Sequence, residues 1–255
     1  MLFRFVLINF FSMFACACFS ANAAEVDTLF HVGTNKLSWD RATQKVVESC
    51  NADYQEILHG RKPVLAQPDP AKESTATDQY YYAEGYRVHI TKAEVTLDGV
   101  AGFVYGGVID LEPAFAEGDM HALFHTSFHA PSVMSYPNST DAPFYFESSK
   151  AKAALGDKAR KRLQACAADY KAVLAGKKPS NAKAPPDSAD PHFYKGEGYH
   201  IDIIEVPLSV GGVNGFLYGP MIDFDPPLTS GGALDSISHV SFYTAAELKA
   251  LLGRK

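Results

Sequence analysis

Two stretches of the chain carry apolar residues at helical spacing: Val46, Val47, Cys50, Tyr54, Ile57 and Leu58, then Leu163, Cys166, Tyr170, Val173 and Leu174. A 3.6-residue period gathers each set on one side, so each predicts an amphipathic helix with one buried stripe. Asp40 and Asp157 stand where N-caps belong, and Gly60 and Gly176 where a left-handed C-terminal turn is needed. Elsewhere the period is two. Tyr86, Val88 and Ile90 share one face of a strand, and the apolar set then passes to Ala93, Val95 and Leu97, the opposite phase. Tyr199, Ile201 and Ile203 give way to Val206, Leu208 and Val210 in the same manner. Strand side chains alternate strictly, so the phase change predicts a β-bulge or a sharp bend, and Pro207 suits either. Asp98-Gly99 and Gly211-Gly212 supply the positive-φ pairs of two-residue hairpin turns. Return strands follow through Phe103, Tyr105, Ile109 and Leu111 and through Phe216, Tyr218, Ile222 and Phe224. A last strand is expected over residues 121–129 and 235–243, a short first strand over 28–32 and 143–146, and a helix over 245–252. Residues 64–79 and 180–191 show neither period, and loops of that length are often binding elements or mobile connections.

The same order of signals occurs twice. DTLFHVGT, CNADYQEILHGRKP, EGYRVHI, GFVYGGVIDLEP and HTSF are followed by DAPFYFES, CAADYKAVLAGKKP, EGYHIDI, GFLYGPMIDFDP and HVSF, at an offset of 113 to 117 residues. Self-similarity at that period predicts two whole domains of one fold. The expected fold class is α+β: two tandem copies of a two-layer unit, each one helix on a mainly antiparallel four-stranded sheet in the order β-α-β-β-β. The units are expected over residues 24–137 and 138–255, after a signal peptide over residues 1–23. Arg4, the apolar run from Phe5 to Phe19 and Ala21-Asn22-Ala23 have the form of a secretory signal with cleavage near Ala23, which predicts a periplasmic or secreted protein.

The formal charge of −6, with no compensating basic patch, argues against nucleic acid as a partner. The single long apolar run is too short for a convincing span, so no stable membrane insertion is expected. Cys50 and Cys166 occupy matching positions, and an oxidising compartment would permit a disulfide between them. Their helical phase favours two buried thiols instead.

Candidate chemistry sits at the repeated strand ends. Asp110 with Glu112, and Asp223 with Asp225, place two acids on one side of a strand. His125 with Ser127, and His239 with Ser241, stand on a strand that is a potential neighbour. Two carboxylates and an imidazole suit a cation or acid–base work; ordinary half-buried hydrogen bonding accounts for the same residues. His121, His125 and His129 recur every fourth residue, about 13 Å apart on a strand and too far for one metal ion. No nucleophile elbow, zinc-protease helix or phosphate-binding glycine loop occurs in the sequence. Tyr80, Tyr81, Tyr82 and Tyr86, with Tyr136 and Phe144 to Phe146, form an aromatic cluster of the kind found at interfaces. Asn138-Ser139-Thr140 is a glycosylation sequon.

These features predict a non-enzymatic exported binding protein that engages a protein or cell-envelope ligand through its sheets and long loops, with an inhibitor or immunity-type protein as a special case. The ligand-contacting candidates are Tyr81, Tyr82, Asp110, His125, Asp223 and His239; no cofactor or metal is expected. The alternative is a metal-assisted hydrolase using the acidic strand ends and His125 or His239. In architecture alone the expected tandem is similar to small exported inhibitors such as the β-lactamase inhibitory proteins, with no shared motif to carry residues across.

Overall fold

The computed structural model describes residues 28–33, 39–130, 142–146, 155–228 and 236–254. The expected signal segment, the boundary between the two repeats, Tyr136 and the sequon lie outside the described residues.

The fold is α+β, with helices on a large antiparallel sheet. Helix α1 (Arg41–Leu58) starts where the Asp40 side chain accepts from the Thr43 amide, and helix α2 (Asp157–Leu174) starts after Gly156, so Asp157 is its first residue rather than its cap. Gly60 and Gly176 both sit at φ +70 beyond the helix ends, as the C-terminal turn requires. The first three strands are β1 (Phe30–His31), β2 (Gln67–Pro68) and β3 (Asp78–Ala83). They are followed by β4 (Tyr86–Leu97), β5 (Val100–Leu111), β6 (Ala116–Glu117) and β7 (Ala122–His129). Beyond the gap lie β8 (Phe144–Tyr145), β9 (Phe193–Gly196), β10 (Tyr199–Val210), β11 (Val213–Phe224), β12 (Ser236–Thr244) and helix α3 (Ala245–Leu251). β2, β3, β6 and β9 are additional to the expected strands, β2 falling within the stretch expected to be a loop. β3 and β9 each pair with the strand that follows across a tight Glu-Gly turn, at Glu84-Gly85 and at Glu197-Gly198.

One 12-stranded sheet runs through both halves of the chain, in the order β2-β3-β4-β5-β7-β12-β11-β10-β6. Its two sides meet where β7 pairs antiparallel with β12, with His125 opposite His239 at the centre of three paired positions. Beyond that short seam the first strands are exchanged: β1 joins β12 in parallel, and β8 joins β7.

The expected bulge is absent from both hairpins. β4 and β5 pair one-to-one from Tyr86↔Leu111 to Leu97↔Val100, and β10 and β11 do so from Tyr199↔Phe224 to Val210↔Val213. The phase of burial changes because the neighbour changes. Tyr86, Val88 and Ile90 pack in the apolar cluster around α1, whereas Val95 and Leu97 belong to the cluster around α2. In return, Tyr199 and Ile201 pack with α2, while Leu208 and Val210 belong with α1. Each hairpin thus begins on its own helix and ends, on the opposite face, in the other core. The tips confirm the crossing: Asp98 pairs with Arg162 of α2, and Trp39, just before α1, donates its indole N–H to the Val210 carbonyl at 2.9 Å.

Cys50 and Cys166 are free buried thiols, one in each cluster, so the disulfide is not formed. Burial is the first cause that raises both thiols' pKa values, with Asp53 and Asp169 respectively adding to it.

Candidate functional site

Over the hairpin halves next to the Glu-Gly turns, the α1 and α2 clusters take one face of the strands, and alternation turns the other residues to the opposite, helix-free face, at whose seam margin Phe124 still packs against the α1 cluster. Reading across the first half by register, Tyr80, His89, Val108 and Phe124 form one row and Tyr82, Arg87, Asp110 and Ala122 the next. The second half repeats this as Phe193, Asp202, Met221 and Ser238, then Lys195, His200, Asp223 and Ser236. All are half-buried or exposed except Ser238, which joins Thr126 at the seam through a 2.8 Å hydroxyl contact.

Both patches set an aromatic ring against an imidazole. Tyr80 stacks on His89 at 4.4 Å between centroids, and Phe193 tilts over His200 at 5.4 Å. His89 Nε2 lies 2.9 Å from Asp78, and His200 Nε2 lies 3.4 Å from Asp223. Arg87 donates to Glu112 at 2.7 Å, with Asp69 at 3.6 Å and Asp110 directly across the ladder. Asp202 has its carboxyl raised above the usual range, first by burial and then by the Asp223 charge. The surface therefore combines aromatic and apolar side chains with charges of both signs, a composition suited to protein contact.

Of the six candidate ligand residues, three belong to this face: Tyr82, Asp110 and Asp223. Tyr81 points the other way into the α1 cluster, 6% exposed, its hydroxyl on Gln79. His125 and His239 also occupy the helix side of the sheet, at 0% and 5% exposure. Their rings stack at 4.3 Å, and the Tyr54 hydroxyl meets His125 Nδ1 at 2.7 Å. Burial holds His125 well below the ordinary histidine range, with His239 and His129 adding, and burial followed by His31 brings His239 down to about 3. Two further stacks flank the pair, His129 on Tyr145 and His31 on Tyr243, so the matched positions exchange the two residue types across the seam.

Asp110 and His125, and likewise Asp223 and His239, stand on opposite faces of one sheet and do not converge. Among the described residues, no three His, Cys, Asp or Glu side chains are grouped to hold a metal ion.

The sequence reading missed a second repeated device. Asp53, fully buried in α1, accepts the amides of Val64, Leu65 and Ala66 at 2.7 to 2.8 Å and the Tyr86 hydroxyl at 2.7 Å. Asp169 in α2 accepts the amides of Ser180, Asn181 and Ala182 and the Tyr199 hydroxyl. Each carboxylate ties its helix to the Pro-led loop and to the first residue of the long strand. Burial raises the Asp169 carboxyl, but the three amides and Tyr199 outweigh it and leave the group below its ordinary value. The signal was present as the Asp-Tyr pair that begins three residues after each matched cysteine.

No family model, curated protein or solved structure matches the chain.

Proposed function

We propose that this chain is an exported, non-enzymatic binding protein, descended from a tandem duplication, that engages a protein of the cell envelope through the helix-free face of its sheet. The observation that carries the reading is the recurrence, on both sides of the seam, of an aromatic ring over an imidazole beside a carboxylate. Rigid strands hold these groups on a broad surface, which favours recognition of a folded partner over enclosure of a small substrate. The net negative charge fits a partner other than nucleic acid. Among the described residues, no helix is long and apolar enough to cross a membrane. The amino-terminal apolar run supports export, and the intact protein recovered outside the cytoplasm is expected to begin just after Ala23. The fold is compatible with an inhibitor or immunity-type role, and the hydrolase alternative gains no support from acids and imidazoles on opposite faces.

A photo-reactive residue placed at Tyr82, and separately at Lys195, tests the surface in the cells that make the protein. One partner protein cross-linked from both positions, and not from Lys161 on α2, is the expected result. No adduct at either position, or an equal adduct from Lys161, would overturn the assignment.

A further inference from the structure

A cleft of about 310 Å³ lies apart from the helix-free face, where the end of α2, the loop before β9 and the residues after α3 converge. Its inner wall is apolar or aromatic: Tyr194, Ile203, Tyr218 and Leu252. Tyr218 is fixed there by its hydroxyl, which donates to the Val173 carbonyl at 2.9 Å. The rim is cationic, formed by Lys177, Lys178 and Arg254. The one carboxylate of the lining, Glu205, is already matched by Arg254 through two bonds of 2.6 and 2.9 Å. Neither lysine has an ion-pair partner among the described residues, so the rim keeps an excess of positive charge in a chain of net −6.

We infer that this cleft binds a small amphipathic carboxylate, its apolar body against Tyr194, Ile203 and Leu252 and its anionic head at Lys177 and Lys178. The volume lies at the lower end of the range typical of small-ligand pockets, about 300 to 1,000 Å³. Apolar contact supplies affinity, while the paired ammonium groups select the sign of the head group. Among the described residues, the matching positions of the first half are differently occupied. Lys92 stands there in place of Glu205, with its ammonium over the Phe103 ring, and Arg61 is engaged by Glu56 of its own helix. The charge pattern of the cleft is thus not repeated at the matching described positions, and it is independent of the doubled surface proposed for the protein partner.

Calorimetric titration of the full-length protein with octanoate tests the assignment, alongside hexylammonium, which reverses the head-group charge, and inorganic phosphate, which lacks the apolar body. Saturable octanoate binding is expected, weakened about tenfold or more in a Lys177→Glu/Lys178→Glu variant. Both lysines are exposed, and an unchanged circular dichroism spectrum and melting temperature will show that the variant folds. The inference is overturned if octanoate gives no saturable heat, if the variant binds it equally, or if hexylammonium or phosphate binds as tightly.

Discussion

A carboxylate buried inside a helix is costly unless its lone pairs are met, and Asp53 and Asp169 meet theirs with three amides and a tyrosine hydroxyl each. An Asp169→Asn side chain keeps the shape but turns an NH2 group towards amide donors. The expected loss is about 3 kcal/mol of unfolding free energy, read from urea denaturation. The two seam histidines set a second dependence. Native His125 and His239 stay neutral, His239 down to about 3, whereas the unfolded rings regain a pKa of about 6.5. Their contribution is complete above about pH 6.5 and drains as the pH falls from there, because the unfolded chain binds protons the native one refuses. Unfolding free energy measured from pH 7 to pH 4 is expected to fall, and His239→Gln to flatten the slope by up to about 1.4 kcal/mol per pH unit. Asp169, whose carboxyl is lowered in the native state, acts in a lower window, adding stability that is lost as the pH drops below its ordinary value of 3.8.

At the scale of elements, the hairpin tips carry the interlock. Asp98 occupies φ +52 in the first tip and pairs with Arg162, both side chains less than one-fifth exposed. Asn tolerates that backbone, so Asp98→Asn isolates the charge effect, and about 2 kcal/mol of destabilisation is expected. Adding Arg162→Met should recover part of that loss by removing the stranded cation, which a double-mutant cycle in urea measures. Much of this layer was legible in the sequence. The helix stripes, the glycine caps and both two-residue turns follow from local chemistry, and the structure places them within a residue or two of expectation. The phase switch after Ile90 was equally plain, but its cause was not. A strand records only that its buried face changes, and a bulge or a second core on the other side leaves the same alternation. Strand β3 escaped because Tyr80, Tyr81 and Tyr82 run together without alternation, although only Tyr81 is buried, and β9 because its four residues are too few to show a period. For the same reason Tyr81 passed for a surface contact. His125 and His239 could not be assigned to a face, since a half-buried histidine and a seam histidine share one sequence pattern.

For the whole molecule, the consequence of the exchange is mutual dependence. The α1 core takes Leu208, Val210, Leu217 and Phe242 from the second half, and the α2 core takes Val95, Leu97, Val104 and Phe128 from the matching positions of the first. Fully burying one such side chain contributes about 1.5 to 3 kcal/mol, so four of them exceed or rival the marginal stability of a small domain. Neither half can lose that set and keep a closed core. Urea unfolding of the intact chain is therefore expected to be one cooperative transition, with fluorescence of Trp39, which touches the second hairpin, and far-ultraviolet dichroism giving the same midpoint. Residues 24–137 and 138–255 produced as separate chains are expected to be largely unfolded alone and to regain the native spectrum when mixed. Two halves that each fold independently, or two resolved transitions in the intact chain, would contradict the shared cores. The short β7–β12 seam, paired at only three positions, would then be the whole of the connection rather than the centre of an interlocked pair.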